Sequence, residues 1–308
     1  MIPEGVTRDV PLARLTTVRA GGSADLFARP STKPDVVALL RWARERDVPV
    51  GVVGSGSNLL IADDGFHGLA LKLHGELTEI ERQGDELRGG GGARLPSAAA
   101  KAAGWGLTGL EFGVNIPGTV GGAVKMNANA YGGRLADVLE WVDVCTAEGT
   151  DRRGQGELEF GYRSSNLGPD EVVVDAAFSL SEADVAAIKS TLAEMRSWRR
   201  EAQPSGVKTF GSTFKNPDPA EAGGRTAGQL LEAAGCAGLR AGGAQLNSKH
   251  ANFVENISDA TTADVLEVMA EARRRVYESF GVALEPEVQI LGDVEWPQAW
   301  QLPSQGDS

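Results

Sequence analysis

Three short stretches of the chain bring together side chains that can do chemistry. Gly211-Ser212-Thr213-Phe214-Lys215-Asn216-Pro217 packs hydroxyls, an ammonium and an amide into a segment bounded by glycine and proline. Such a cluster can serve an oxyanion or a phosphate through charge-assisted hydrogen bonds, or it can be a polar surface turn. Phe160-Gly161-Tyr162-Arg163-Ser164-Ser165 sets one guanidinium between an aromatic ring and two hydroxyls. Leu284-Glu285-Pro286-Glu287-Val288-Gln289-Ile290-Leu291 carries two carboxylates two apart, which on a strand share one face; spacing does not choose between them. A serine-hydrolase reading has little support. The histidines are His67, His74 and His250, none of them beside Ser212, and no Gly-x-Ser-x-Gly elbow occurs.

Glycine placement points to a ligand held by backbone. Gly54-Ser55-Gly56-Ser57-Asn58 follows a short apolar run, as a phosphate cradle would, because small residues let amide N–H groups converge on an anion. It lacks the third glycine of the dinucleotide fingerprint and the Gly-Lys-Ser/Thr of a P-loop. Both templates also require a helix to follow, whereas here the next regular feature is the apolar run Leu69 to Leu73. A second glycine-dense stretch runs from Glu111 through Gly113, Ile116, Pro117, Gly118, Thr119, Gly122 and Ala123 to Tyr131, Gly132 and Gly133. It is either a turn-rich connection or a backbone wrapped around a planar or phosphorylated ligand.

The elements that must position these stretches are legible from periodicity. A strand at Ala24 to Arg29 leads to a helix opened by Pro34 and Asp35, with Val36, Val37, Leu39, Leu40 and Ala43 on one side, and then to a strand at Val50 to Val53. This α+β unit is expected to span residues 1–74. In residues 75–203 the spacing predicts an edge hairpin in the polar segment after Glu81, a helix from Pro96 to Ala103, and strands at Leu139 to Thr146 and Val172 to Leu180. A helix with Val185, Ile188, Leu192 and Met195 in line then follows a Ser181/Asp184 capping box. A third unit, residues 204–287, is expected to hold a helix over about Thr226 to Ala234 and strands near Ala244 to Leu246 and Asn252 to Glu255. A long helix capped by Thr262 and a strand over Leu284 to Leu291 complete it. The tail, residues 288–308, packs on the first unit or frays.

A length of 308 residues, 42% of them hydrophobic, supports two or three domains. A formal net charge of −12 argues against a nucleic-acid or membrane surface and favours a small-molecule partner, with room for a local basic pocket. Cys145 and Cys236 suggest neither a disulfide framework nor a metal site. No signal sequence or membrane span is seen, so a cytoplasmic protein is expected.

In register along nearly the whole chain, these motifs resemble the UDP-N-acetylenolpyruvoylglucosamine reductase (UDP-N-acetylmuramate dehydrogenase) family of bacterial peptidoglycan synthesis. The matches run from Thr16-Thr17-Val18-Arg19-Ala20-Gly21-Gly22 through Gly54 to Asn58, Ile116 to Gly133, Tyr162-Arg163, Gly211 to Pro217, and His250-Ala251-Asn252-Phe253 to Glu287. The resemblance implies an α+β fold: a two-part FAD-binding module of the vanillyl-alcohol-oxidase type and a C-terminal substrate-binding domain. It implies tightly but non-covalently bound FAD, NADPH as co-substrate, and a monomer acting in the cytoplasm. Backbone and small side chains at Gly54, Ser55, Gly56, Ser57, Asn58, Gly113, Ile116, Pro117, Gly118, Thr119, Gly122 and Ala123 would meet the cofactor. NADPH would reduce the flavin, and hydride would then pass to C3 of the enolpyruvyl sugar nucleotide. Ser212 would protonate C2, with Arg163 and Glu287 stabilising the charge between these steps; Tyr131, Lys215, Asn216 and His250 would contact substrate.

Two departures stand outside this catalytic set. Ala128-Asn129-Ala130-Tyr131-Gly132 stands where the family often has Ala-Gly-Ala-Tyr-Gly, and Asn247 replaces a usual serine. Gly168 to Glu171 alone separate Leu167 from the strand at Val172, leaving no room for the tyrosine-bearing insertion of the family's first type; the chain resembles the second type. The rival readings are another flavin oxidoreductase of the same fold and a sugar-nucleotide-binding paralogue without catalysis.

Overall fold

The computed structural model describes residues 2–302 of the chain. Its contacts form two compact units, one of Met1–Val10, Ala24–Ser55 and His67–Glu201, the other of Pro11–Ser23, Gly56–Phe66 and Ala202–Ser308. Residues 303–308 of the tail lie outside the described residues. Helices and strands are mixed throughout, giving an α+β fold.

The first unit is built on two larger sheets, with short two-stranded pairs beside them. In one, the strands run in the order Thr7–Pro11, Ser23–Ala28, Phe66–Leu71, Val50–Val52, the last two parallel. The Lys33–Arg44 helix buries Val36, Leu39, Leu40 and Ala43, and its N-terminus is closed by a reciprocal pair of bonds between Thr32 and Asp35. The other is a five-stranded antiparallel sheet in the order Thr150–Gly154, Leu139–Cys145, Val172–Ser179, Glu86–Gly90, Ile80–Gln83, which puts the expected hairpin at its edge. The central strand, VVVDAAFS, is buried at every residue but the last, as expected of an apolar run covered on both faces. Its one acid, Asp175, lies directly across from Asp143, a like-charge pairing that would destabilise the sheet if left bare. Lys33 Nζ bridges the two carboxylates at 3.1 and 2.6 Å, Arg88 holds Asp175 and Arg152 holds Asp143, so the helix and both strands are tied by ions.

The second unit is built around Phe210, Phe214, Leu230, Leu246, Val265 and Met269. Its elements are the three-stranded sheet Arg240–Ala241, Ala244–Leu246, Val254–Asn256, the helices Ala227–Ala233 and Thr262–Phe280, and the parallel pair Leu59–Ile61 with Gln289–Leu291.

Three local expectations are corrected. The Val185–Ala202 helix is capped by Asp184, whose Oδ1 accepts from Ala187 N at 2.9 Å, because Ser181 and Glu182 are drawn into a strand pair with Leu107–Thr108. The long helix is capped by Thr261, not Thr262; the Thr262 hydroxyl is buried and donates to the Ile61 carbonyl. The final strand is regular only at Gln289–Leu291, because Pro286 has no N–H and the segment before it makes a single bridge, to Phe214. After the Gly54–Asn58 loop the chain enters the short strand Leu59–Ile61, so no helix follows that loop.

Candidate active site

In the second unit, two distant stretches of sequence are joined through their backbones. The segment from Gly211 to Lys215 lies between the turn at His250–Phe253 and the segment 285–287. Thr213 N donates to Asn252 O at 2.8 Å, Glu287 N to Thr213 O at 2.9 Å, and Lys215 N to Glu285 O at 2.9 Å. Phe214 is fully buried, and both of its peptide groups are met by one side chain: Asn252 Oδ1 accepts from Phe214 N and Asn252 Nδ2 donates to Phe214 O, each at 2.9 Å. Asn252 is itself buried, so neither polar group is left unpaired on either side. Ser212, half-buried, is bridged in antiparallel sense to Phe253.

The glycine loop reaches this place too. Asn58 Nδ2 donates to Glu287 O at 3.1 Å, and Asn58 O accepts from Gln289 N at 3.1 Å, so the asparagine that ends the loop brackets Glu287. Gly56 has φ +64°, and a Cβ on it would stand 2.1 Å from Leu15 O, so only glycine fits. The two carboxylates of the C-terminal stretch differ in setting. Glu285 is 73% exposed in its side chain and pairs with Lys215 at 3.3 Å, whereas Glu287 is half-buried. Asn216 is exposed, and its Oδ1 accepts from Ala227 N at the start of a helix. The His250 ring packs edge-on against Phe253 with centroids 4.8 Å apart, and burial pulls its pKa below the ordinary 6.5, which favours the neutral ring at pH 7.

In the first unit, a cavity of about 360 Å³ is lined by Gly54, Ser55 and Thr119 from the two glycine stretches, and by Arg29, Lys72, His74 and Arg94. No carboxylate lines it, which makes it a locally basic site in an acidic chain. Lys72 donates to the Gly54 carbonyl; burial, then the neighbouring Arg29, push its pKa below the usual lysine value. Arg29 Nη2 lies 3.1 Å from His74 Nδ1. Among the hydrogen bonds of the described residues, none uses the amide N–H of Gly54, Ser55 or Gly118 as donor. Basic side chains, glycine backbone and open amides together suit a phosphate-bearing anion. Sequence reasoning missed all four nitrogen-bearing side chains; the available signal was Lys72, a cation inside the otherwise apolar LALKL run.

Elsewhere in this unit the glycine-rich stretch has more than one use. Gly118 faces open space, whereas a Cβ at Gly113 would stand 3.0 Å from Leu95, and Ala123 lies in the core, so packing accounts for the small residues at 113 and 123. Ile116 and Pro117 are half-buried, and Gly122 N donates to the capping Thr119 hydroxyl at 3.4 Å. Tyr131 and Gly132, both with positive φ, form the two-residue turn of a small hairpin; the Tyr131 hydroxyl accepts from Asn115 Nδ2 at 2.7 Å and donates to Met195 O at 3.2 Å. Arg163 also lies in a two-residue turn, between Phe160–Gly161 and Ser164–Ser165, with φ +55° and its guanidinium 5.2 Å from the Tyr162 ring centroid. Left-handed backbone at a non-glycine residue costs roughly 1–2 kcal/mol.

Comparison with known proteins agrees with this layout. Residues 24–153 match the family model described as an FAD binding domain, and residues 203–291 match "UDP-N-acetylenolpyruvoylglucosamine reductase, C-terminal domain". UDP-N-acetylenolpyruvoylglucosamine reductase 2 of Symbiobacterium thermophilum is 43% identical over 296 residues, 96% of this chain and 94% of the relative. The reductase of Heliobacterium modesticaldum is 42% identical over 285 residues, 92% and 90% of the two chains. The crystal structure of UDP-N-acetylenolpyruvylglucosamine reductase from Thermus caldophilus superposes with a TM-score of 0.80 at 36% identity, covering 95% of this chain and 99% of that one. With relatives at this identity spanning almost every described element, the chain belongs to the UDP-N-acetylenolpyruvoylglucosamine reductase family.

Proposed function

We propose that the protein is an NADPH-dependent flavoenzyme that reduces UDP-N-acetylglucosamine enolpyruvate to UDP-N-acetylmuramate, a step of peptidoglycan precursor synthesis. The observation that carries this reading is the backbone pairing of the Ser212 segment with the Glu287 segment, with Asn58 of the glycine loop bonded to Glu287 O.

The basic cavity fits the diphosphate of FAD: Arg29, Lys72 and Arg94 would neutralise its charge, and the Gly54, Ser55 and Gly118 amides would donate to it. When bound, FAD supplies the hydride that passes from NADPH to C3 of the enolpyruvyl group. The chain's own residues manage the charge and the proton. Addition at C3 leaves negative charge at C2, delocalised into the adjacent carboxylate, and Arg163 and Glu287 stabilise it, the latter as a protonated donor or through water. Ser212 delivers its proton to C2. A serine hydroxyl is a feeble acid, but a carbanion beside a carboxylate is basic enough to take its proton, and solvent restores the serine. Lys215 and Asn216 would offer donors to the sugar nucleotide, and Tyr131 and His250 would be further contacts to it.

Anaerobic titration of the purified full chain, first with NADPH and then with the enolpyruvyl substrate, tests the reading through the flavin spectrum. Bleaching by NADPH and return of colour with substrate are expected. A colourless protein that takes up no FAD, or a reduced flavin that the substrate does not reoxidise, would overturn it.

A further inference from the structure

The tail after Leu291 is bound to the segments that carry Ser212 and Glu287. Gly292, with φ +96° and no room for a Cβ against Gly65 O at 2.2 Å, turns the chain back over the second unit. Trp300 then packs beside Phe214 in an offset, nearly parallel arrangement, centroids 6.5 Å apart and planes at 12°, while the Trp296 ring centroid lies 4.0 Å from that of Trp300. Phe214 is the residue whose backbone bridges Pro286, between the Thr213–Glu287 and Lys215–Glu285 hydrogen bonds. One side chain closes the arrangement. Arg273, on the Thr262–Phe280 helix, donates Nε to Leu284 O at 2.9 Å and Nη1 to Trp300 O at 2.5 Å, with its guanidinium carbon 4.6 Å from the Trp300 ring. It joins the carbonyl just before Glu285 to the tail.

We propose that Arg273 and Trp300 are positioning residues for the proposed reaction: the tail is a strap that holds Phe214, and through it sets the spacing of Ser212 and Glu287. Neither residue touches the reacting atoms. Ser212 and Glu287 sit two and one residues from the Phe214–Pro286 bridge, so a shift of the Phe214 ring into space left by Trp300 moves both. Misplacements of about 1 Å in such groups can cost on the order of 100-fold in rate. A planar guanidinium serves here because it makes two directed bonds while lying on an aromatic ring, which an ammonium cannot reproduce.

The inference rests on the function proposed above, and two readouts separate their failures. In holoenzyme carrying Trp300→Ala or Arg273→Lys, amide hydrogen exchange at Lys215 and Glu287 is expected to rise. Reoxidation by the enolpyruvyl substrate is expected to slow by about 10- to 100-fold, with flavin reduction by NADPH and substrate affinity unchanged. Trp300→Phe, which keeps the stacked ring, is expected to restore both. Wild-type exchange and wild-type reoxidation in Trp300→Ala would overturn the strap. So would an equal loss in both half-reactions that tracks lowered thermal stability and is not relieved by Trp300→Phe. If the wild-type protein itself is not reoxidised by the substrate, the proposed function fails, while the exchange measurement still decides whether the tail holds these segments.

Discussion

Arg163 and Tyr131 share a backbone conformation that L-residues avoid, with φ of +55° and +52°. At Tyr131 the cause is local, since a two-residue hairpin turn with Gly132 after it calls for positive φ at both positions. At Arg163 the turn needs a left-handed residue that glycine would supply more cheaply, so the arginine carries a conformational cost, which fits the catalytic role proposed for it. Arg163→Lys keeps the charge but loses the planar fork, and we expect reoxidation by substrate to fall while NADPH still bleaches the flavin; equal rates in stopped-flow traces of variant and parent would contradict the role assigned to Arg163. For Ser212→Ala, removal of the proposed proton donor is expected to slow reoxidation by about 100- to 10,000-fold with flavin reduction intact. A matching loss in both half-reactions would count against proton donation. Asn252 is a structural counterpart. Its amide alone satisfies the buried N–H and C=O of Phe214, so Asn252→Ala should cost about 1–3 kcal/mol for each group left unpaired, measured by chemical denaturation.

Among the elements, the loop from Gly54 to Asn58 shows why small residues were needed, for reasons that differ by position. Gly56→Ala puts a Cβ into Leu15 O on a backbone already left-handed, and we expect a loss of at least about 2 kcal/mol, seen as a lower midpoint in urea. The antiparallel sheet is sensitive in a different way. Burial raises the Asp143 pKa, but hydrogen bonds from Arg152 and Lys33 outweigh it and hold the carboxyl below its ordinary 3.8. A folded-state pKa below the unfolded one means the unfolded chain takes up the proton first as pH falls. The stabilisation is therefore complete above pH 3.8 and is lost as pH drops through the lower folded value. Asp143→Asn should be less stable than the parent at pH 7 and lose less stability on acidification below pH 4, by denaturation midpoints across that range. Identical acid limbs would contradict this account.

At the scale of the whole molecule, an acidic chain with a locally basic cavity is suited to a small anionic ligand rather than a polyanion. A ligand that binds only the folded state stabilises it by about 2.7 kcal/mol at a free concentration 100 times its Kd. Stripping FAD from the purified protein should therefore lower Tm by several degrees, and adding FAD back should restore it. A Tm insensitive to FAD would mean that the cavity does not hold the cofactor. Among the described residues no helix is long and apolar enough to cross a membrane.

What the sequence by itself determined is the part governed by near neighbours. The Lys33–Arg44 helix, the buried Val172–Ser179 strand and the Thr226-capped helix are each written in a local period or cap, and the glycine loop could be separated from a Rossmann turn by the lack of a following helix. Ser212, Arg163 and Glu287 were legible as residue types in suggestive company. Only the tertiary structure decided that Thr213 and Glu287 exchange a hydrogen bond, that Asn58 brackets Glu287, that Lys72 and three other basic or imidazole groups line one cavity, and that Trp300 rests on Phe214. It also moved two helix caps, because Ser181 found a strand partner and Thr262 a carbonyl far along the chain. Each of these contacts joins residues tens to hundreds of positions apart. Period and propensity report on the nearest few residues, whereas the pairing of remote segments depends on how whole faces pack, and no window of sequence contains that information.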